Sequence, residues 1–305
     1  MTKNKLQNVY LQLIFSTFIW GSAFIAAKIA MDDLQPISVA FFRFFGASIV
    51  LWFIMMYREP IRPKLTKKDI FVFLILGLIG IFGYNVLFFY GVNLTTVTKS
   101  SLVIATNPIL IAILSFTFLK EKVGALQFIG IILGITGAFI IISNGSIFNL
   151  IELGFTSVDL ILLGAVVCWA TYSVVGKISL KKFSPLTSTT YACIVGTIFL
   201  FPFALYELSL EQIYQASIST WLSIAHMAVL VSALSFVLWY DGINKIGAAK
   251  AASFINLMPI TAVVLASLVF GERITMIQLS GALLVLFGVY LSNRKPLNQR
   301  GVSSV

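Results

Sequence analysis

Long apolar runs alternate along this chain with short charged punctuation. Residues 9–27, 70–98, 100–119, 123–151, 160–176, 183–206, 212–240, 251–271 and 274–293 contain no Asp, Glu, Lys or Arg, and 34–57 contains only Arg43. Each run is near or above the roughly 20 residues that carry a helix across a hydrocarbon core. The pattern therefore predicts ten transmembrane helices. The first run follows Lys3 and Lys5 in the manner of a signal peptide, but it is too long and no small-residue cleavage site follows it, so it is expected to be a retained helix.

The chain also repeats itself. At a shift of 151 residues Glu121 falls on Glu272, Gln127 on Gln278, Gly130 on Gly281, Gly137 on Gly288, Asn93 on Asn244, Lys99 on Lys250 and Pro108 on Pro259. At a shift of 149, Trp20 falls on Trp169, Lys28 on Lys177 and Pro36 on Pro185. Two homologous halves of five helices are the simplest account. Residues 1–143 form the first, 144–158 a linker on the outer side, and 159–305 the second with a short tail. Five crossings per half invert the second copy relative to the first, the arrangement from which many secondary transporters build a central site with alternating access.

Composition then narrows the class. Charged residues are 10% of the chain, against about 25% in soluble domains, 59% are hydrophobic, and mean hydropathy is +1.00. The fold class is an all-α integral membrane protein of ten helices in two inverted repeats. The net charge of +10 would invite a nucleic-acid reading were it not for its placement. With the N-terminus in the cytoplasm, only Lys28, Lys99 and Arg273 fall outside and Arg43 within the membrane; every other Lys and Arg falls on the cytoplasmic side. This positive-inside bias predicts a multi-pass protein of the cell membrane with both termini cytoplasmic, and the charge needs no nucleic-acid partner. Cys168 and Cys193 lie inside predicted helices and read as packing residues, not as a disulfide or zinc site.

Trp20-Gly21-Ser22, Phe42-Arg43-Phe44, the prolines at 108 and 259, and the ending Gly271-Glu272 with Gln278, Gly281 and Gly288 together resemble the ten-helix members of the drug/metabolite transporter superfamily, built from two EamA-type repeats. The similarity covers nearly the whole chain; Lys120 departs from it, standing where the first repeat ending usually has Gly. The resemblance implies small-molecule transport, often efflux of amino acids or other metabolites, through a cavity between the halves. The expected partners are a small-molecule substrate and the lipid bilayer, with a homodimer left open and no cofactor or metal implied.

Ionisable groups inside a membrane are expensive and are functional candidates by default. Arg43 lies about seven residues, roughly 10 Å, inside the second helix. Its fork could hold a substrate carboxylate or bind helix-end carbonyls and lock two helices together. Because members of the resembled family with varied substrates share this Arg, the locking role is favoured. His226, the only histidine, could relay protons or serve as a neutral hydrogen-bonding group between helices; the second is favoured. Pro108 and Pro259 interrupt helices and could act as hinges, with Asn107 and Asn256 beside them as substrate contacts or interhelical amides. Trp20 and Trp169, with Tyr172, Tyr84 and Asn85, could line a cavity; such rings also serve as ordinary packing. Glu121 and Glu272 end their helices at opposite faces as gates or caps, and Gly130, Gly134, Gly137, Gly281 and Gly288 form small-residue faces for close helix contact. No deeply placed carboxylate supports proton or sodium coupling.

Two other readings compete. A membrane enzyme would need clustered Asp pairs, a nucleophile with its base, or a His metal motif, and this chain has one His and only Asp32 and Asp33 as adjacent acids; it is not expected to be an enzyme. A flippase or exporter of lipid-like or quaternary-ammonium compounds on the same fold is the alternative, distinguished by a cavity that opens laterally to lipid.

Overall fold

A computed structural model describes residues 3–95, 97–143, 145–146, 148, 151, 156–270 and 274–294, without the side chains of 3–5, 97–99, 262, 263, 266, 267, 269 and 270. Among these residues all regular structure is helical. Eight helices are long and apolar enough to cross a membrane: Leu6–Met31, Pro36–Arg58, Lys67–Leu94, Ser100–Leu119, Ala125–Ser143, Ser157–Ser179, Pro185–Glu207 and Ile218–Ile246. The ninth run divides into Ala248–Ala252, a 3-10 turn at Ser253–Leu257, and Met258–Phe270. The tenth is Met276–Ser292. Counted in chain order, these are the first to tenth helices.

Local chemistry sets the helix starts. Pro36 and Pro185 open the second and seventh helices at the position where a missing N–H costs nothing, which explains their matching places in the two halves. The third, sixth and tenth helices begin at Thr66, Thr156 and Thr275, each closing a capping box with Asp69, Asp159 or Gln278.

The third and eighth helices share a further irregularity: both widen into π-helix, at Leu76–Gly83 and Met227–Leu234, again 151 residues apart. The fourth breaks at Ala105 and Thr106 before Asn107 and Pro108 restart it. Lacking an N–H, Pro108 leaves the Ile104 carbonyl without its helical donor, and the Asn107 side-chain amide supplies one at 3.2 Å. At the equivalent proline the helix tightens instead, with the Met258 N–H reaching the Ile255 carbonyl.

Glycines decide the closest contact, between the fifth and tenth helices. A methyl group added at Gly137 would sit 2.6 Å from the Gly281 carbonyl, and one at Gly288 2.6 Å from the Gly130 carbonyl. The two backbones meet with nothing between them, the small-residue mode of membrane helices.

The molecule is lined and clad in opposite senses. Phe53, Phe71, Phe116, Phe118 and Leu283 project outward, while Arg43, Asn85, Asn107 and Asn256 are buried. Hydrophobic burial cannot drive that arrangement in water, and it is the one lipid solvates. The loops gather at two faces. At one, the basic face, Glu59 accepts from the hydroxyls of Ser184 and Thr187, and Lys182 pairs with Asp69. At the other, Glu207 accepts from the backbone N–H groups of Ile37 and Ser38.

Candidate functional site

A cavity lies at the centre, walled by residues of the first, second, third, fourth, sixth, eighth and ninth helices and so by both halves. It comprises about 440 Å³ of space, some of it continuous with the surroundings, of which about 30 Å³ admits the centre of a water-sized molecule. That is room for about two waters. A metabolite enters only if the walls part.

Aromatic rings form nearly half of the wall. Trp20 and Trp169, equivalent positions of the two repeats, meet edge to face at 5.1 Å and 89°. Tyr84 lies 5.1 Å from Trp169 and Phe236 5.3 Å from it. The two indoles differ in one respect. Trp20 donates its N–H to the Val231 carbonyl at 3.1 Å, whereas among the described residues nothing accepts from that of Trp169.

Arg43 enters from the second helix, its side chain in contact with the rings of Phe44 and Phe89 at 4.9 and 5.9 Å from the centroids. Its Nε donates to Ser232 Oγ at 2.7 Å and Nη1 to Asn85 Oδ1 at 3.3 Å. Both partners belong to or adjoin the π-helical segments: Ser232 lies within one, and Asn85, anchored to the Ile81 carbonyl at 2.7 Å, follows the other. Asn107 brings a buried Oδ1 with no partner to the cavity wall.

The candidates read from sequence thus divide. Trp20, Arg43, Tyr84, Asn107 and Trp169 line the cavity, and Asn85 stands directly behind, holding Arg43. Tyr172 packs on Trp169 and stacks on Tyr240 at 4.9 Å, outside the lining. His226 also lies outside it, with Nε2 2.8 Å from Ser22 Oγ. Because Ser22 donates its hydroxyl hydrogen to the Ile19 carbonyl at 2.6 Å, its oxygen is left to accept from the imidazole. Asn256 is fully buried beside Gly134 with both amide atoms unpartnered, and it too is off the lining. Pro108 and Pro259 sit at helix restarts beside the cavity residues Asn107 and Met258.

At the basic face Glu121 joins the two halves. Its carboxylate accepts from the backbone N–H groups of Ala248 and Ala249, at 3.1 Å each, and so caps the ninth helix from the loop between the fourth and fifth. Lys177, on the sixth helix, donates to the Ile243 and Asn244 carbonyls at 2.8 Å each and holds the end of the eighth. Opposite charges thus meet the two helix ends flanking Gly247, as the helix dipoles favour. At the opposite face Lys28, the repeat counterpart of Lys177, donates to the Thr95 carbonyl at 3.1 Å. Glu272 lies outside the described residues.

Sequence pattern did not single out Ser232, Phe236, Lys28 or Lys177 as site or gate residues. A lone mid-helix serine or phenylalanine carries no distinguishing signal, but the two lysines matched across the repeat and a role for the pair was there to be read.

The family model described as "EamA-like transporter family" matches residues 7–143 and 156–294. The chain is 34% identical to the Bacillus subtilis protein named "Uncharacterized transporter YyaM", over 92% of each chain. It is 27% identical, over 98% of each, to a "Probable terminal-alkyne amino-acid exporter" of Streptantibioticus cattleyicolor. A crystal structure superposes with a TM-score of 0.75 over 94% of this chain and 97% of that one, at 16% identity, a likeness of fold.

Proposed function

The chain belongs to the EamA-like transporter family, and from that premise we propose that it is a secondary transporter of the cell membrane, with both termini cytoplasmic, exporting amino acids or related small polar metabolites by alternating access between two inverted repeats. The observation that carries this reading is a central cavity walled by matched residues of both halves, Trp20 and Trp169 foremost, with polar groups confined to a few positions. The similarity to an amino-acid exporter over nearly the full length supports the substrate class.

In this reading the basic face is cytoplasmic. Glu121 and Lys177 form a latch that holds that face closed, and Lys28 belongs to its counterpart outside. The contracted cavity, with Lys28 and Lys177 both engaged, is an occluded state.

Counterflow in proteoliposomes tests the proposal. Purified protein is preloaded with one unlabelled solute at a time, from a panel of amino acids, their hydroxy-acid analogues, nucleosides and organic cations, and labelled solute is added outside without an ion gradient. Transient accumulation of an amino acid or an analogue is expected. Folded protein that accumulates no panel member overturns the reading.

A further inference from the structure

Arg43 is the one full charge brought to the cavity wall, and the protein supplies nothing of opposite sign to meet it among the described residues. Arg43 is 3% exposed. Its two bonded acceptors, Ser232 Oγ and Asn85 Oδ1, are both neutral. A guanidinium has five N–H donors, so the remaining ones, on a residue that lines the cavity, have no acceptor among the described residues.

None of the described carboxylates lines the cavity, and five of them are engaged at helix ends. Glu59, Asp69 and Glu121 hold the basic face. Asp33 and Glu207 hold the other.

A buried cation persists only where it is paired or generously hydrogen-bonded. Arg43 has half of that. The faces of Phe44 and Phe89 add to it without carrying a full opposite charge, and the open side of the fork suits an anion.

From this we infer that the cavity takes a net-anionic solute: a carboxylate of amino-acid size with an apolar or aromatic body, whose amine is absent or replaced. The inference rests on the transport reading above and narrows its substrate class from amino acids to their amine-free relatives. A zwitterion would bring an ammonium into the same enclosure, where among the described lining residues there is no carboxylate to receive it and a buried acceptor without a partner is the neutral Asn107 amide oxygen. A cation would add its charge to that of Arg43. The rings of Trp20, Tyr84, Phe88 and Trp169 supply the apolar wall for the body, and the free Trp169 N–H supplies a second donor toward a carboxylate or hydroxyl.

Three probes share one aromatic body and differ only in charge: phenyllactate is an anion, phenylalanine a zwitterion and phenylalaninol a cation. Binding is measured as the shift in thermal unfolding of the purified full-length protein, and transport as counterflow. Phenyllactate is expected to bind about tenfold or more tighter than phenylalanine, with phenylalaninol inert. Arg43→Gln should abolish the preference. If that variant does not fold, Asn107→Asp provides a second arm: it gives up the amide donor to the Ile104 carbonyl, places a carboxylate on the wall that neutralises Arg43, and should turn the preference toward phenylalanine. Phenylalaninol or phenylalanine binding as tightly as phenyllactate in the unaltered protein overturns the inference, and so does an unchanged order in Asn107→Asp. If phenyllactate is inert while another solute shows counterflow, the inference falls and the transport reading stands; if nothing binds and nothing is carried, both fall.

Discussion

Arg43 shows what a single position reveals and conceals. Its depth in an apolar run marked it at once, but the choice between locking helices and holding substrate could not be made from the run. It turns on partners in helices far away in sequence, and the structure gives Arg43 both a lock, on Ser232 and Asn85, and an open side toward the cavity. The two tryptophans allow a sharper test of how residues alike in sequence come to differ. Trp20→Phe keeps a ring but leaves the buried Val231 carbonyl without its indole donor, and should cost about 1–3 kcal/mol. Trp169→Phe loses no such bond, and should leave stability near the parent while weakening phenyllactate binding. Thermal unfolding and ligand-induced shifts of the two variants check this, and equal losses of stability would contradict it. Outside the membrane, Asp33 accepts from Ser217 Oγ, Thr220 Oγ1 and the Ser217 N–H at 2.6, 2.6 and 2.8 Å, and these bonds hold its carboxyl below the usual range. A folded-state pKa below the unfolded value of about 3.9 means a stabilising contribution fully present above that value and lost as pH falls through the folded one. Asp33→Asn should therefore flatten the acid side of the stability profile from about pH 5 downward relative to the parent, as measured by thermal unfolding at each pH; an unchanged slope would show that Asp33 does not contribute.

Helix number was legible because each run announces itself by length and apolarity, and helix starts because Pro36, Pro185 and the Thr capping boxes are local chemistry. The interior of the helices was not legible. The π-helical stretches at Leu76–Gly83 and Met227–Leu234 are apolar apart from Ser232 and carry no local signal for wider turns; in the first, neighbours distant in sequence pack directly on its glycines, Tyr172 on Gly80 and Val195 on Gly77. Glu121 was legible as a cap or gate at a helix end, but not whose helix. It caps the ninth from a loop that follows the fourth, 127 and 128 residues away. Glu121→Gln keeps the shape, removes the charge from the helix N-terminus, and should cost about 1 kcal/mol. If the cap is also a latch, the same variant should speed alkylation of a cysteine placed at Ala252, a buried residue of the ninth helix, in a background with Cys168 and Cys193 replaced by Ala. Loss of stability with unchanged labelling would make Glu121 a cap alone.

At the scale of the whole molecule the repeat was the most informative pattern, because an inversion turns one local observation into two. Lys177 holds the end of the eighth helix at the basic face, and Lys28, its counterpart, holds the end of the third at the other. If the halves rock about the central aromatic contact between Trp20 and Trp169, the two lysines stabilise closure of opposite faces and their loss should act with opposite sign. Lys177→Ala releases Ile243 and Asn244 and should raise hydrogen exchange across residues 243–252 while lowering it near residues 90–95, since opening one face closes the other. Lys28→Ala should do the reverse. Each lysine removes a charge-assisted contact of about 1.5–3 kcal/mol at most, enough to move a two-state population about tenfold or more but not to unfold the bundle. Exchange that rises only locally in each variant, with no protection at the far face, would mean that the latches are independent and that the inverted repeats do not move as one alternating machine.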